Sequence, residues 1–154
     1  MALQVISAGG KVALGLDTAT GERGFLLKML NKTGVASVKG TVVAASAAVD
    51  NSVVLSPSGF DVVGVVQEAG VADDAEMWVW TSGSTCQVLL TDETGATRGQ
   101  VALASDTDGR IYVVDVPSAN PAVAEHFREV GHVMQTVAAP EEGAALVLCS
   151  IHFN

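Results

Sequence analysis

The chain has 154 residues, of which 49% are hydrophobic and 16% charged, and its formal net charge is −9 at pH 7. This length fits one domain that buries enough surface to fold without disulfide or metal staples. The acidic balance argues against binding nucleic acid or an anionic membrane through a basic surface. The first residues lack a basic leader, and Gly9, Gly10 and Lys11 interrupt their apolar character, so neither a signal peptide nor a membrane span fits. We therefore expect a soluble protein made in a cytosol.

The pattern predicts an N-terminal arm over residues 1–24, followed by a single β domain over residues 25–154. Val12, Leu14 and Leu16 share one face of a short strand, but the glycines and small residues around them offer little material for a core. Such a segment gains main-chain hydrogen bonds by adding to the exposed sheet edge of a neighbouring protein. A strand packed within its own domain is an equal alternative at this point.

Short runs of β-branched residues follow at even spacing, bounded by turn residues, as is typical of an all-β domain. The predicted strands cover residues 25–31, 41–45, 52–55, 62–66, 77–81, 86–90, 101–104, 111–114, 129–136 and 144–152. Helix is the competing prediction for the first run. Asn120 followed by Pro121 favours a helix start, which predicts one short helix over residues 122–127. The expected fold is a small antiparallel β-sandwich or β-barrel with one short helix and an extended N-terminal arm.

Residues 61–90 organise this predicted domain as an antiparallel meander of three strands. Trp78 and Trp80 share one face of the middle strand and Val79 lies on the other, so both faces are largely apolar. Such a two-sided strand lies inside a barrel or sandwich, or at a contact with another subunit. Core packing is the main prediction for both tryptophans, and a protein interface is the alternative.

The sequence contains no recognised catalytic, nucleotide-binding or cofactor motif. His126, His132 and His152 lie outside the usual zinc spacings, so we predict no metal site and expect each to be a hydrogen-bonded residue of a strand or helix end. Cys86 and Cys149 lie far apart, which favours two small buried hydrophobic residues, while a disulfide stays open. The prediction is a protein without enzymatic activity, catalytic residues or cofactor.

Two acidic segments have the composition of cation sites. Residues 106–109 begin like a calcium loop but lack its final glutamate, and their Asp-Gly pair favours a type I′ hairpin turn. Asp73, Asp74 and Glu76 form an acidic cluster, for which a solvated turn is the main prediction and cation binding the alternative.

A series of turn and strand motifs carries more information than any of these sites. The motifs are Asn31-Lys32-Thr33-Gly34, Lys39-Gly40-Thr41-Val42-Val43, Gly64-Val65-Val66, Gly70-Val71-Ala72, Val130-Gly131-His132-Val133-Met134 and His152-Phe153-Asn154. Together they resemble the capsid decoration proteins of tailed bacteriophages, which are also called cement or head-stabilising proteins. The resemblance covers residues 25–154.

This resemblance implies a small, often trimeric β-rich protein that is made in the host cytoplasm and binds the outer surface of the virion. The implied partners are the major capsid protein and further copies of the chain, with no nucleic acid and no membrane. The residues predicted to bind partners are Val12, Leu14, Leu16, Trp78 and Trp80. The alternative function is a β-barrel module that binds a ligand or glycan, such as a head-fibre domain, and a hydrolase with an unrecognised site comes third.

Overall fold

The computed structural model describes residues 4–56, 61–107, 109–115 and 123–153. Over these ranges the chain is almost entirely β, which confirms the predicted fold class. The elements are β1 (Gln4–Gly9), β2 (Val12–Asp17), β3 (Glu22–Asn31), β4 (Val42–Ala45), β5 (Ser52–Leu55), β6 (Val62–Val66), β7 (Glu76–Trp80), β8 (Thr85–Leu89), β9 (Val101–Ala104), β10 (Ile111–Val114), α1 (Val123–Phe127), β11 (Glu129–Val133) and β12 (Leu146–Ile151). Within these ranges we find no helix with the length and apolarity needed to cross a membrane.

Five strands close into a small barrel in the order β3-β5-β4-β6-β7, and β7 pairs back onto β3. The β3–β5 contact is a short parallel pair, and the other pairs are antiparallel. A core cluster of small and flexible side chains belongs to these strands: Val43, Val53, Val66, Met77 and Val79. Branched valine side chains pack well on a pleated surface, and so they suit the narrow interior of a five-stranded barrel.

Five further strands continue the sheet from β3 in the order β8-β12-β11-β9-β10. A bridge between Leu90 and Ile111 brings the end of β8 back to β10, so this half of the molecule also curls round a core. That larger core includes Leu26 and Trp80. Because neighbouring residues of a strand face opposite ways, Trp80 packs in the larger core while Val79 packs in the barrel. The prediction that β7 is apolar on both faces is confirmed.

The predicted meander is correct for β6 and β7, which pair antiparallel, but wrong for β7 and β8. Both β7 and β8 run antiparallel to β3 and follow one another along the same edge of it. The reason lies at Ser84, whose hydroxyl oxygen accepts the Phe25 N–H at 2.9 Å and donates to the Phe25 carbonyl at 3.2 Å. The Ser84 side chain thus continues the hydrogen-bond ladder with β3 in the gap between β7 and β8. The chain therefore passes forward along β3 instead of reversing.

Most other predicted elements are confirmed, with ends shifted by a few residues. The helix alternative for residues 25–31 is wrong, because they belong to β3. The short helix is present as α1, while its predicted start at Asn120 and Pro121 lies outside the described residues. β9 and β10 pair antiparallel, with Ala104 opposite Ile111, while Asp108 of the predicted hairpin turn lies outside the described residues.

The N-terminal segment forms a β1–β2 hairpin attached to the sheet of its own domain, which is the alternative left open above. Six register pairs join β2 to β3, from Val12 with Leu27 to Asp17 with Glu22. The predicted boundary between residues 24 and 25 therefore falls inside β3. Gly15 covers the larger core so closely that a Cβ atom there would lie 2.8 Å from the Trp80 ring.

Candidate partner-binding surface and histidine cluster

An apolar strip lies on the outer face of β2 and β3. Val12, Leu14 and Phe25 are 50%, 39% and 52% exposed, and Leu14 is paired directly with Phe25 across the two strands. Leu16 continues the strip and is half-buried. The inward residues of β2 are buried in alternation with these, as a strand with one covered face requires. The prediction that Val12, Leu14 and Leu16 share a face is confirmed.

A shallow groove of about 430 Å³ runs beside the strip. Apolar side chains and the exposed Arg23 line it, together with glycines that leave the backbone open: Leu14, Gly15, Leu16, Arg23, Gly24, Phe25, Gly83 and Thr85. Next to it, β1 pairs with β2 and with no other described strand. The far side of β1 is thus a sheet edge whose main-chain groups are available to another strand.

The structure separates the two tryptophans from this strip. Trp80 is 0% exposed, so its side chain offers no surface to a partner, and core packing, the main prediction, is observed. Its indole Nε1 has no hydrogen-bond partner among the described residues. Trp78 is half-buried, and the Lys28 ammonium lies 5.6 Å from the centroid of its ring, in cation–π range. Since Lys28 and Phe25 lie on opposite faces of β3, Trp78 faces away from the strip.

The three histidines of the sequence all lie around one carboxylate, that of Glu129. His152 Nε2 is 3.3 Å and His132 Nδ1 is 3.8 Å from the Glu129 Oε1 atom. The two ring nitrogens are 3.1 Å from each other. His126 Nδ1 lies 3.7 Å from the other carboxylate oxygen, Oε2. The donor atoms of Glu129, His132 and His152 are thus close enough together to hold one metal ion.

A β-bulge creates this cluster. Residues three apart in a regular strand face opposite ways, but the pairing of β11 with β9 skips one residue between Glu129 and Gly131, which brings Glu129 and His132 to the same side. Sequence reasoning missed the cluster because regular alternation places Glu129 and His132 on opposite faces of β11. In addition, His152 is distant in sequence and follows a different strand, β12. The spacing H-x-x-E-x-x-H over residues 126–132 is the only local signal.

A second carboxylate, that of Glu22, is fully buried between β2, β3 and β8. Its Oε2 atom accepts the Thr20 hydroxyl at 2.8 Å and forms an ion pair with Lys39, and its Oε1 atom accepts the Gln87 N–H at 3.1 Å. Buried charge is tolerated only when it is paired and hydrogen-bonded in this way. Both oxygens of Glu22 are occupied by fixed protein donors.

The acidic residues of the predicted cluster have partners within the chain. Asp73 accepts the Gly34 N–H at 2.9 Å, Asp74 pairs with Lys32, and Glu76 lies 3.6 Å from each of two lysines. Asp73 and Asp74 lie in a solvated turn, as the main prediction had it, whereas Glu76 is the first residue of β7.

Cys86 and Cys149 are buried, as predicted, and both thiols are free. They lie opposite each other in the β8–β12 pair. Burial raises the pKa of the Cys149 thiol to about 12 and raises the pKa of Cys86 well above its usual range.

The chain matches no protein-family model, and no curated protein matches it. The assignment of function therefore depends on the residues of this chain, their geometry and the motifs described above.

Proposed function

We propose that this chain is a structural protein that binds the outer surface of a tailed-bacteriophage capsid as a trimer and stabilises the shell. The observation that carries the proposal is the apolar strip of β2 and β3 beside the open edge of β1. The turn and strand motifs over residues 25–154, which resemble those of decoration proteins, support the same assignment.

The strip and the edge provide two kinds of attachment. Val12, Leu14 and Phe25 offer neighbouring apolar surface, and contiguous exposed apolar surface marks sites of protein interaction. The β1 edge offers main-chain hydrogen bonds to an incoming strand, while alternate side chains select its register. A capsid presents the same acceptor strand many times, and a trimer engages several copies together, so modest contacts sum to stable attachment.

The charge of the chain is compatible with this location. Its net charge of −9 disfavours contact with the packaged nucleic acid, which carries the same sign. The carboxylates of Asp73, Asp74 and Glu76 have partners within the chain. Attachment is thus expected to depend on apolar and main-chain contacts, and to persist at high salt.

Binding of the purified protein to undecorated, expanded capsids tests the strip. We expect Leu14→Lys and Phe25→Lys each to weaken co-sedimentation with capsids at least about tenfold, because a charge replaces an interface anchor. Val35→Lys is the matched control, since Val35 is 56% exposed and lies in a loop away from the strip. Equal binding by all three variants, with unchanged thermal melts, would contradict the role of the strip.

A short truncation tests the β1 edge separately. Removing residues 1–9 deletes β1 but keeps β2, which is needed to cover Trp80. We expect this variant to keep its thermal melt and to lose capsid binding. Removal of residues 1–20 is a poor test, because it also deletes β2. Without Gly15, the core around Trp80 is exposed to solvent and the domain itself is destabilised. A variant without residues 1–9 that binds capsids as tightly as the full chain would contradict the edge contact.

The mass of the protein in solution and its location on the virion distinguish a trimeric decoration protein from a head-fibre domain. Analytical ultracentrifugation at micromolar concentration is expected to give a mass near that of three chains. Electron microscopy of decorated particles should show density over the shell at local three-fold positions. A monomer both free and on particles contradicts the trimer, and density only at vertices or the tail favours a head-fibre domain instead.

A further inference from the structure

The cluster at Glu129 has the dimensions of a metal centre. The three donor atoms, Glu129 Oε1, His132 Nδ1 and His152 Nε2, form a triangle with sides of 3.1, 3.3 and 3.8 Å. A tetrahedral zinc ion with bonds of about 2.1 Å holds its ligand atoms about 3.4 Å apart. The side chains therefore need only small rotations to accept such an ion.

The backbone holds the ligands in place before any ion arrives. Glu129 and His132 lie on β11, and the His152 N–H donates to the Val130 carbonyl at 2.9 Å. The two strands approach so closely at Gly131 that a Cβ atom there would lie 2.1 Å from the Ser150 carbonyl oxygen. Ligands carried on paired strands are more precisely positioned than ligands on loops.

We propose that Glu129, His132 and His152 bind one divalent transition-metal ion, with Zn²⁺ as the ion that suits the ligands best. Two imidazoles and one carboxylate are a ligand set that proteins use for zinc and for related ions such as Fe²⁺. The His132 and His152 side chains are 47% and 41% exposed, so the ion is reached from solvent and its fourth position is open to water.

His126 has a different role from the three ligands. Its Nδ1 atom lies 3.7 Å from Oε2, the oxygen of Glu129 that is not part of the triangle. Contacts of this kind orient a ligating carboxylate without touching the ion. His126 is therefore assigned as a positioning residue.

Metal binding is expected to tie the segment that follows β12 to β11. His152 directly follows β12, whereas Glu129 and His132 lie on β11. An ion that binds the folded chain alone stabilises it in proportion to the logarithm of its concentration. We therefore expect the melting temperature of the metal-free protein to rise as ZnCl₂ is added, with one ion bound per chain.

Isothermal titration of the metal-free full chain with ZnCl₂ tests the site, with melting curves to verify folding of each variant. His132→Ala and His152→Ala are each expected to weaken zinc binding at least about tenfold more than His126→Ala does, because they remove a ligand and not an outer partner. The absence of saturable binding by the wild-type chain, or an equal loss in all three variants, would overturn the assignment.

The wild-type protein gives a second readout that does not depend on variants. In the nitrogen spectrum of ¹⁵N-histidine-labelled protein, addition of ZnCl₂ is expected to shift His132 Nδ1 and His152 Nε2 strongly and the ring of His126 weakly. Shifts confined to His126, or spread evenly over the three rings, mean that zinc binds elsewhere or nonspecifically and contradict the proposal.

Discussion

Glu22 and Glu129 carry the same functional group, a carboxylate, in two regions of the molecule, where it has different roles. Glu22 is fully buried, and its oxygens are occupied by Lys39, Thr20 and the backbone of β8. The Glu129 side chain is 16% exposed, and its neighbours are imidazoles. The number of filled acceptors separates the two roles: a carboxylate whose oxygens both accept from protein donors joins strands together, whereas a carboxylate beside imidazoles can still bind an ion.

The largest effect is expected from Glu22→Ala. The substitution leaves Lys39 and the Gln87 N–H without their buried partner, and breaking a buried ion pair from one side costs about 3–5 kcal/mol. Lys39 is partly exposed, so we expect about 3 kcal/mol. Urea unfolding followed by circular dichroism measures the loss.

Glu22→Gln is the matched control for this change, since its amide oxygen keeps the acceptor for the Gln87 N–H and its NH2 group can donate to the Thr20 hydroxyl, while the charge that pairs with Lys39 is removed. We expect it to lose less stability than the alanine variant. A loss below about 1 kcal/mol in the alanine variant, the value of an exposed pair, would erase the contrast between the two regions.

The next effect is acid sensitivity of the region around Glu22. The Asp17 carboxyl is almost covered, and although burial by itself raises its pKa, hydrogen bonds from the Ala19 and Thr20 N–H groups lower that pKa below its usual range. A carboxyl with a lowered pKa in the folded state contributes stability above its unfolded value, and that stability is lost as the pH falls through the folded value.

Urea unfolding at pH 6 and again near pH 3 measures this contribution. We expect the wild-type chain to lose more stability over the interval than Asp17→Asn, whose amide does not titrate. An identical loss in both proteins would show that Asp17 adds nothing to the acid sensitivity.

A smaller effect on stability is expected from Glu129→Gln. Without metal, we expect the free energy of unfolding to change by less than about 1 kcal/mol, because the imidazoles that contact Glu129 are partly exposed to solvent. The rise in melting temperature with ZnCl₂ should disappear. Glu141→Gln removes the same charge from another exposed position and should keep the zinc response. A Glu129→Gln chain that still responds to zinc like wild type contradicts the ligand assignment.

The smallest effect is expected at the thiols, which are the other chemical candidates for zinc. Because burial raises the pKa values of Cys86 and Cys149, both stay protonated at pH 8. We expect no reaction of the folded chain with a disulfide reagent at pH 8, and full reaction after unfolding in urea. Fast labelling of the folded protein would make the thiols a competing metal site.

The strands were predictable because their signals are local. Runs such as Val62–Val66 and Ile111–Val114 combine β-branched residues with flanking glycine or aspartate turns. The path from β7 to β8 could not be predicted, since residues 81–84 have the composition of a turn that reverses the chain. Hydrogen bonds that join Ser84 and Thr81 to Phe25, distant in sequence, carry the chain forward along β3.

The two carboxylate regions escaped prediction for related reasons. Glu22 fell within the predicted arm, and its partners Lys39 and Gln87 belong to a loop and a strand far along the chain. Glu129 and His132 were separated by regular alternation, which a single bulged residue overrides. In the apolar strip, by contrast, alternation holds without a bulge, and Val12, Leu14 and Leu16 were assigned correctly to one face.

The length of β3 has a consequence for how the chain folds during synthesis. Its 10 residues pair with β2 at one end and with β5 at the other, while β7 and β8 share its opposite edge. As the ribosome releases the N-terminus first, β1, β2 and β3 can assemble early, but the opposite edge of β3 stays bare until β7 and β8 emerge. Such an edge invites pairing between nascent chains. Slow translation before residue 76, or a chaperone that shields β3, should therefore decide the yield of soluble protein.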